Sequence, residues 1–261
     1  MSDETGSADR FERDLRTAAA RLTAARRVVV FTGAGVSKES GIATFRDPGE
    51  GLWAQYDPME LATREAYLRD PAFVWSWYRD RFGKLAEAQP NAGHVALAEL
   101  ERHVPSVTVV TQNIDGLHRR AGSSDVIELH GRADRLKCLG ERHKGFTWDE
   151  IAGSEEAPPR CPQCGDLIRP DVVWFGESLP HEAITRAFEV ARRCDVMLVV
   201  GTSGVVQPAA SVPLIALQSG AFLIDVNPQP DELSSIAHAF LRGPGGEVLP
   251  RLVREVAQAA V

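Results

Sequence analysis

The sequence predicts an α/β fold: a doubly wound parallel sheet with a smaller lobe set beside it. Two observations lead there. Five short runs are almost continuously apolar and β-branched: Arg27–Thr32, Ser106–Thr111, 125–129, 195–201 and 221–227. Unbroken apolar runs mark strands covered on both faces, where alternation would mark strands covered on one. Helical stretches at 91–102, His181–Arg193 and 207–218 separate most of these runs. Strand alternating with helix gives a parallel, Rossmann-like sheet with crossover helices.

The remaining elements follow along the chain. Leu15, Ala19, Leu22 and Ala25 recur at helical spacing, so a polar start runs into a first helix. Two regions interrupt the alternation. Residues 46–90 read as helical, with Asp70 as cap and Pro71 in the first turn of one helix. Residues 132–169 hold three clustered cysteines and a polar Gly/Ser/Pro stretch. These two regions are expected to form a small helical and zinc-ribbon lobe. Residues 15–45, 91–131 and 170–261 then make the large lobe of a single domain. A last helix, 248–261, is expected to dock on the core.

Composition sets outer limits. The chain has 261 residues, 44% hydrophobic and 25% charged, enough for an ordinary packed core. Its net charge of −7 repels phosphate backbones, which argues against nucleic acid as a partner. No apolar run is long enough to cross a membrane. The polar N-terminus has no hydrophobic segment of the secretory kind, and a cytoplasmic protein is expected. The oligomeric state is open, with a monomer expected.

Chemistry-bearing residues cluster at the ends of the predicted strands. The first run ends in Gly33-Ala34-Gly35-Val36-Ser37. Glycines after a first strand let a backbone approach a phosphate, and a following helix start offers free N–H groups. The spacing is not G-x-G-x-x-G, and a glycine turn without ligand is the plainer reading. The second run is followed by Gln112, Asn113, Ile114 and Asp115. A carboxamide and a carboxylate can together read another amide, whereas a helix cap over 116–120 explains only one of these residues. The third run ends in Glu128-Leu129-His130-Gly131. A histidine at a strand end, beside a glycine turn, is placed to act as a general base toward a sugar hydroxyl.

The blocks GAGVSKESGIATFR, TQNIDGLH, ELHG, VVWFGE, GTSGVVQPA and DVNP occur here in one order, and in that order the chain resembles the sirtuins. The resemblance covers roughly residues 28–252. It implies an NAD-dependent protein-lysine deacylase, with NAD as co-substrate lying between a Rossmann-like lobe and a small zinc lobe. Gly33, Ala34, Gly35 and Ser37 would hold the pyrophosphate. Phe45 and Arg46 would flank the nicotinamide ribose, with Ile42 nearby and Trp53 also in the cofactor site. Asn113, Ile114 and Asp115 would hold the carboxamide, with Gln112 also in the cofactor site. Gly201, Thr202, Ser203 and Asn227 would bind the adenosine half, with Gly245 near adenine. The acyl oxygen would attack the ribose as nicotinamide leaves, His130 would deprotonate a ribose hydroxyl, and the products would be free lysine and O-acyl-ADP-ribose. Acyl-lysine proteins would bind as an extended strand against Phe175, Gly176 and Glu177 on one side and Val205 on the other. Ala43 stands where the family usually has proline, which removes no functional group.

Tyr78-Arg79-Asp80-Arg81 lies in the helix after Pro71. Arg81 stands three after Tyr78, so the two are neighbours on the helix surface. On its own Arg81 reads as a solvated or surface-paired arginine. Against the sirtuin resemblance, Tyr-x-x-Arg matches members that remove succinyl, malonyl or glutaryl groups, and Trp174 resembles that subgroup too. A guanidinium with a phenol beside it can hold a carboxylate.

Cys161-Pro162-Gln163-Cys164 is a C-x-x-C knuckle, but its expected partner reads Cys138-Leu139-Gly140-Glu141. One sulfur is missing from the set. Glu141 has the expected position for the fourth ligand of a structural zinc, and His143 is the better ligand by type. Cys194 reads as a buried apolar residue. Rival readings are an ADP-ribosyltransferase or lipoamidase on the same site, and a non-catalytic NAD-sensing module, which would not need His130, Asn113 and Asp115 together.

Overall fold

The computed structural model describes residues 2–43, 57–151 and 156–259. Six strands form one wholly parallel sheet: β1 (Arg27–Thr32), β2 (Ser106–Thr111), β3 (Val126–Glu128), β7 (Val196–Val200), β8 (Phe222–Asn227) and β9 (Ala239–Arg242). Their order is β3-β2-β1-β7-β8-β9, the Rossmann order once the six are counted by themselves. The sequence runs located five of them. β9, four residues with alternating burial at the sheet edge, is too short to stand out as an apolar run.

The sheet is covered on both faces, as its apolar strands require. On one face the helices Ser2–Ala24, Ala92–Leu100 and Gly245–Ala259 bury Leu15, Leu22, Leu97, Leu100, Leu249 and Leu252 against Val28, Val30 and Leu198. Helices His181–Arg193 and Ser211–Gln218 close the other face, where Ala187, Ala191, Val212 and Ala216 meet Phe31, Met197 and Val199. Val248, Leu249, Leu252, Val253 and Val256 put the buried stripe of the last helix at helical spacing. The helix expected over 207–218 begins only at Ser211, because 207–210 form a turn, with the Ala210 N–H donating to the Val206 carbonyl at 2.8 Å.

Where the sequence shows only clustered cysteines and a polar stretch, a second, antiparallel sheet stands. β4 (Gly131–Cys138) lies between β5 (Lys144–Thr147) and β6 (Ile168–Val172). Charged residues such as Arg132, Asp134, Arg135 and Lys137 hide these strands from an apolar-run search. The helices Pro58–Leu61, Arg64–Arg69 and Pro71–Glu87 pack beside this sheet. Asp70 caps the last of them by accepting from the Phe73 N–H, with Pro71 in the first turn. That helix buries Val74, Trp75, Tyr78 and Phe82 together with Leu136, Ile168 and Trp174. Trp75 and Phe82 are buried as deeply as Tyr78, while Leu85 is only partly so. Among the described residues no helix is long and apolar enough to cross a membrane.

Candidate active site

The strand order reverses between β1 and β7, and α/β sheets bind ligands at the carboxyl ends of such strands. Here the loops after β1 and β7 touch. The Gly33 N–H donates to the Val200 carbonyl at 3.2 Å, and the Gly35 N–H to that of Gly201 at 2.9 Å. A Cβ on Gly35 would lie 2.7 Å from the Gly201 oxygen, and one on Gly201, whose φ is +59°, 2.4 Å from Val36 N. The glycines therefore permit two backbones to meet, and their own amides are used in that contact. A short 3₁₀ turn, Ala34–Ser40, carries the chain onward, with Ser37 buried inside it and Ile42 half-buried just beyond. Phe45, Arg46 and Trp53 lie outside the described residues.

Beneath this loop is a buried polar network. Asn113 donates through Nδ2 to the Gly33 carbonyl and to Ser37 Oγ, both at 3.1 Å. Ser37 Oγ in turn donates to Asp115 Oδ2 at 2.8 Å. Asp115 Oδ1 accepts from the Leu117 N–H at 2.9 Å. The helix-cap reading thus accounts for one oxygen of Asp115, and the site takes the other. His94, absent from the sequence reading, completes the network. Its Nδ1 accepts from the Asn91 N–H, which leaves Nε2 as donor, 3.4 Å from Ser37 Oγ. His118 stacks edge-on to His94 with ring centroids 4.9 Å apart. Thr32 Oγ1 donates to Thr111, so His118 Nε2, 2.9 Å away, donates to Thr32. Burial lowers both imidazoles, to about 4 in His94 (where Asp115 opposes the shift) and to about 3 in His118. A histidine at the third position of an Asn-capped helix, on its buried face, was the available signal for His94.

His130 is half-buried between β3 and β4. Its Nδ1 lies 2.8 Å from the Gln112 carbonyl oxygen. A carbonyl only accepts, so Nδ1 carries the proton and the neutral ring presents Nε2 as a base. Burial lowers the imidazole below its ordinary value, and the Gln112 bond partly offsets this. Gln112 and Asn113 are consecutive, so one stretch of backbone sets both the base and the buried carboxamide. Gly131 has a φ of +77°, and a Cβ there would lie 2.0 Å from the Asp171 oxygen; no other residue permits this turn.

Further bonds join the strand ends on the β8 side. Gln112 Nε2 donates to Thr202 Oγ1 at 2.9 Å. Asn227 Nδ2 reaches the Thr202 carbonyl at 3.1 Å, Asp231 at 3.0 Å and Asp225 at 3.3 Å. Asp225 is pushed up to about 7, first by burial and then by Asp231. Ser203 is exposed. Gly245 is buried at the start of the last helix, within contact distance of Val200 and Val36.

On the side of the second sheet, Thr63 pairs with Phe175 in a parallel bridge, and the Phe175 N–H donates to the Ala62 carbonyl at 2.8 Å. Phe175 and Val205 are exposed, at 46% and 47%. Gly176 turns with φ +83°. The Glu177 side chain faces inward: both its oxygens meet the Arg169 guanidinium, and one also accepts from the Trp174 N–H at 2.9 Å. It therefore braces this loop from inside. The Tyr78 hydroxyl accepts from Trp174 Nε1 at 2.8 Å. Arg81, half-buried one turn on, lies with its guanidinium carbon 5.6 Å from the Trp77 ring centre.

The ligand atoms of Cys138, His143, Cys161 and Cys164 all lie within 4.8 Å of one another. His143 Nδ1 is 3.9 Å from Cys138 Sγ and 3.4 Å from Cys161 Sγ. A tetrahedral zinc with sulfur and nitrogen ligands requires about 3.6 Å between such atoms, so the residues fit a structural zinc. Of the two candidates for the fourth position, His143 is the one grouped with the three cysteines. Glu141, at φ +57°, pairs instead with Lys137 at 2.7 Å and stands outside the group. Cys194 lies apart, buried, with its thiol pushed up to about 12 by that burial.

A Rossmann-ordered sheet with a zinc-ribbon sheet beside it, and a histidine base with a buried carboxamide at their junction, define a class: enzymes that act on a dinucleotide held between two lobes. Residues 33–208 match the Sir2 family, and the chain belongs to that family. It is 54% identical over 235 residues to "NAD-dependent protein deacylase 2" of Pyrobaculum aerophilum, covering 90% of this chain and 93% of the relative. A solved Sir2 homolog–NAD complex superposes with a TM-score of 0.85 at 46% identity, over 93% of this chain and 94% of the other. Sir2Af2 bound to a myristoylated histone peptide superposes at 0.76 with 38% identity, over 95% and 98%.

Proposed function

We propose that the chain removes acyl groups from protein lysines at the expense of NAD, with His130 as base and with a preference for acyl groups that end in a carboxylate. As a Sir2 family member with half its residues identical to a curated deacylase, it is an NAD-dependent protein deacylase. The observation that carries the role of His130 is its Nδ1 bond to the Gln112 carbonyl. That bond fixes the tautomer, leaves Nε2 to accept a proton from a ribose hydroxyl, and ties the base to the backbone that holds Asn113.

NAD supplies the electrophilic ribose carbon and the nicotinamide leaving group. Asn113 and Asp115, set by Ser37 and Gly33, would orient the carboxamide. Gly201, Thr202, Ser203 and Asn227 would take the adenosine half, with the loop after β1 on the pyrophosphate. A zinc held by Cys138, His143, Cys161 and Cys164 would brace the small sheet, and four protein ligands would leave it a structural role. The substrate lysine would arrive on an extended peptide laid between the loops that carry Phe175 and Val205, both exposed residues.

Tyr78 and Arg81 support the acidic-acyl preference. They stand one turn apart on a helix packed under the Trp174 segment, and together offer a phenol donor and a guanidinium to a carboxylate. The test compares matched acetyl, succinyl and myristoyl peptides with and without NAD, because the similar Sir2Af2 binds a myristoylated peptide. Succinyl peptide is expected to react best, and Arg81→Met to remove that advantage. Equal desuccinylation by the wild type and Arg81→Met would refute the preference.

A further inference from the structure

We propose that Arg169 is a positioning residue for acyl recognition: through Glu177 and Trp174 it holds an indole N–H on the Tyr78 oxygen, so that Tyr78 is left to present its O–H to the acyl group. The proposal rests on the acidic-acyl reading above and names the residues behind it.

Arg169 has no exposed surface, an unusual position for a guanidinium. Its charge is met by the Glu177 carboxylate across a two-pronged contact, and Nη2 also donates to the Val172 carbonyl at 2.8 Å. The guanidinium lies over the Trp174 indole, 3.3 Å from the ring centre. Glu177 takes the Trp174 backbone N–H at 2.9 Å, and Tyr67 packs on the same indole at 5.2 Å between centroids. The indole is thus fixed by its backbone and by its faces, and its one polar atom, Nε1, lands on the Tyr78 hydroxyl oxygen at 2.8 Å. A buried ion pair is a costly way to gain stability alone, since apolar residues of the same volume often do better. It does fix geometry.

That geometry decides what Tyr78 can bind. A phenol donates one hydrogen bond and accepts others. With its oxygen accepting from Trp174, the hydroxyl is turned to offer its O–H elsewhere, and no described residue accepts it. Burial holds the phenol well above its ordinary value, so it stays protonated. A carboxylate is the acceptor that gains most from such a donor, while the methyl end of an acetyl group gains nothing. The segment is also adjacent to the base, because the Val173 N–H donates to the His130 carbonyl at 3.0 Å.

The experiment measures the ratio of kcat/KM for succinyl over acetyl peptide in Trp174→Phe, Tyr78→Phe, the double variant, Arg169→Lys and Arg81→Met, each checked for a cooperative melt. Trp174→Phe keeps the ring and removes the donor. The ratio is expected to fall about fivefold, the worth of one hydrogen bond, and to fall no further when Trp174→Phe is added to Tyr78→Phe. Arg169→Lys, which keeps the charge and loses the fork, shifts the ratio the same way and serves where Trp174→Phe does not fold. A ratio left unchanged by both Trp174→Phe and Arg169→Lys, while Tyr78→Phe and Arg81→Met lower it, overturns this inference and leaves the acyl preference standing. Equal falls in the two Tyr78 backgrounds overturn it as well. A ratio indifferent to Tyr78→Phe and Arg81→Met removes the acyl preference and this inference together.

Discussion

His130 Nδ1 and the Gln112 carbonyl oxygen stand 2.8 Å apart, and through that bond the imidazole keeps its Nε2 lone pair free. Burial lowers this imidazole, so protonation of the base is expected below the ordinary histidine value of about 6.5. The acid limb of kcat/KM should fall there, leaving the rate level through pH 7. Replacing His130 by Asn should cost about 10²–10⁴ in kcat. A pH profile with its acid midpoint above 7 would contradict the assignment.

His94 and His118 make a separate prediction about stability. Both are held neutral in the fold, down to about 4 and about 3, while the unfolded chain takes up protons near 6.5. Above that value the two contribute a constant amount. As pH falls below it, the unfolded state binds protons that the folded state refuses, and stability declines by about 1.4 kcal/mol per unit per histidine. The decline should end near pH 4 for His94 and near 3 for His118. Urea melts between pH 7 and 4 should show a shallower decline in His118→Gln than in the wild type; parallel curves would exclude His118 as a source.

The metal site separates two neighbouring residues. Purified protein should carry one zinc per chain by elemental analysis. His143→Ala should lose it and melt at a lower temperature, because structural zinc contributes directly to folding. Glu141→Ala should keep it. Metal retained in the first variant and lost in the second would reverse the ligand set drawn from the geometry.

Gly131 tests how tightly the base is placed. Ala there meets the Asp171 oxygen at 2.0 Å as well as the positive φ, so a loss of about 3 kcal/mol or more is expected, with reduced turnover. Gly145 has a similar φ, +86°, and open space around it; Gly145→Ala should cost only about 1–2 kcal/mol. Thermal melts of the two variants give the comparison.

The large sheet was legible because its strands are buried on both faces and so cannot hide their composition. Arg27–Thr32 and Ser106–Thr111 stand in the structure with the bounds their apolar runs suggest. The small sheet was not legible. Its strand Gly131–Cys138 carries two arginines, a lysine and an aspartate, and of these only Asp134 is exposed. Its fold is set by the zinc knuckles and by the neighbouring helices, not by local pattern. The strand-end polar residues Asn113, Asp115 and His130 were found because polarity directly after a buried strand is conspicuous. His94 was overlooked, since a single histidine in an apolar helix gives no hint that Ser37 and Asp115 approach from distant loops. Sequence left Glu141 and His143 level as the fourth metal-site residue, because knuckle spacing favours one and ligand type the other; only the fold shows that His143 stands with the cysteines while Glu141 pairs with Lys137.

The polypeptide leaves the parallel sheet after Glu128 and enters the antiparallel one at Gly131, with the imidazole seated on the crossing itself. A shift of the metal-braced lobe would therefore reach the base directly, with only Gly131 as joint. Stripping the ion should then slow turnover even at temperatures where the chain remains folded, so a metal with no part in the reaction would still behave, in an assay, as an essential activator.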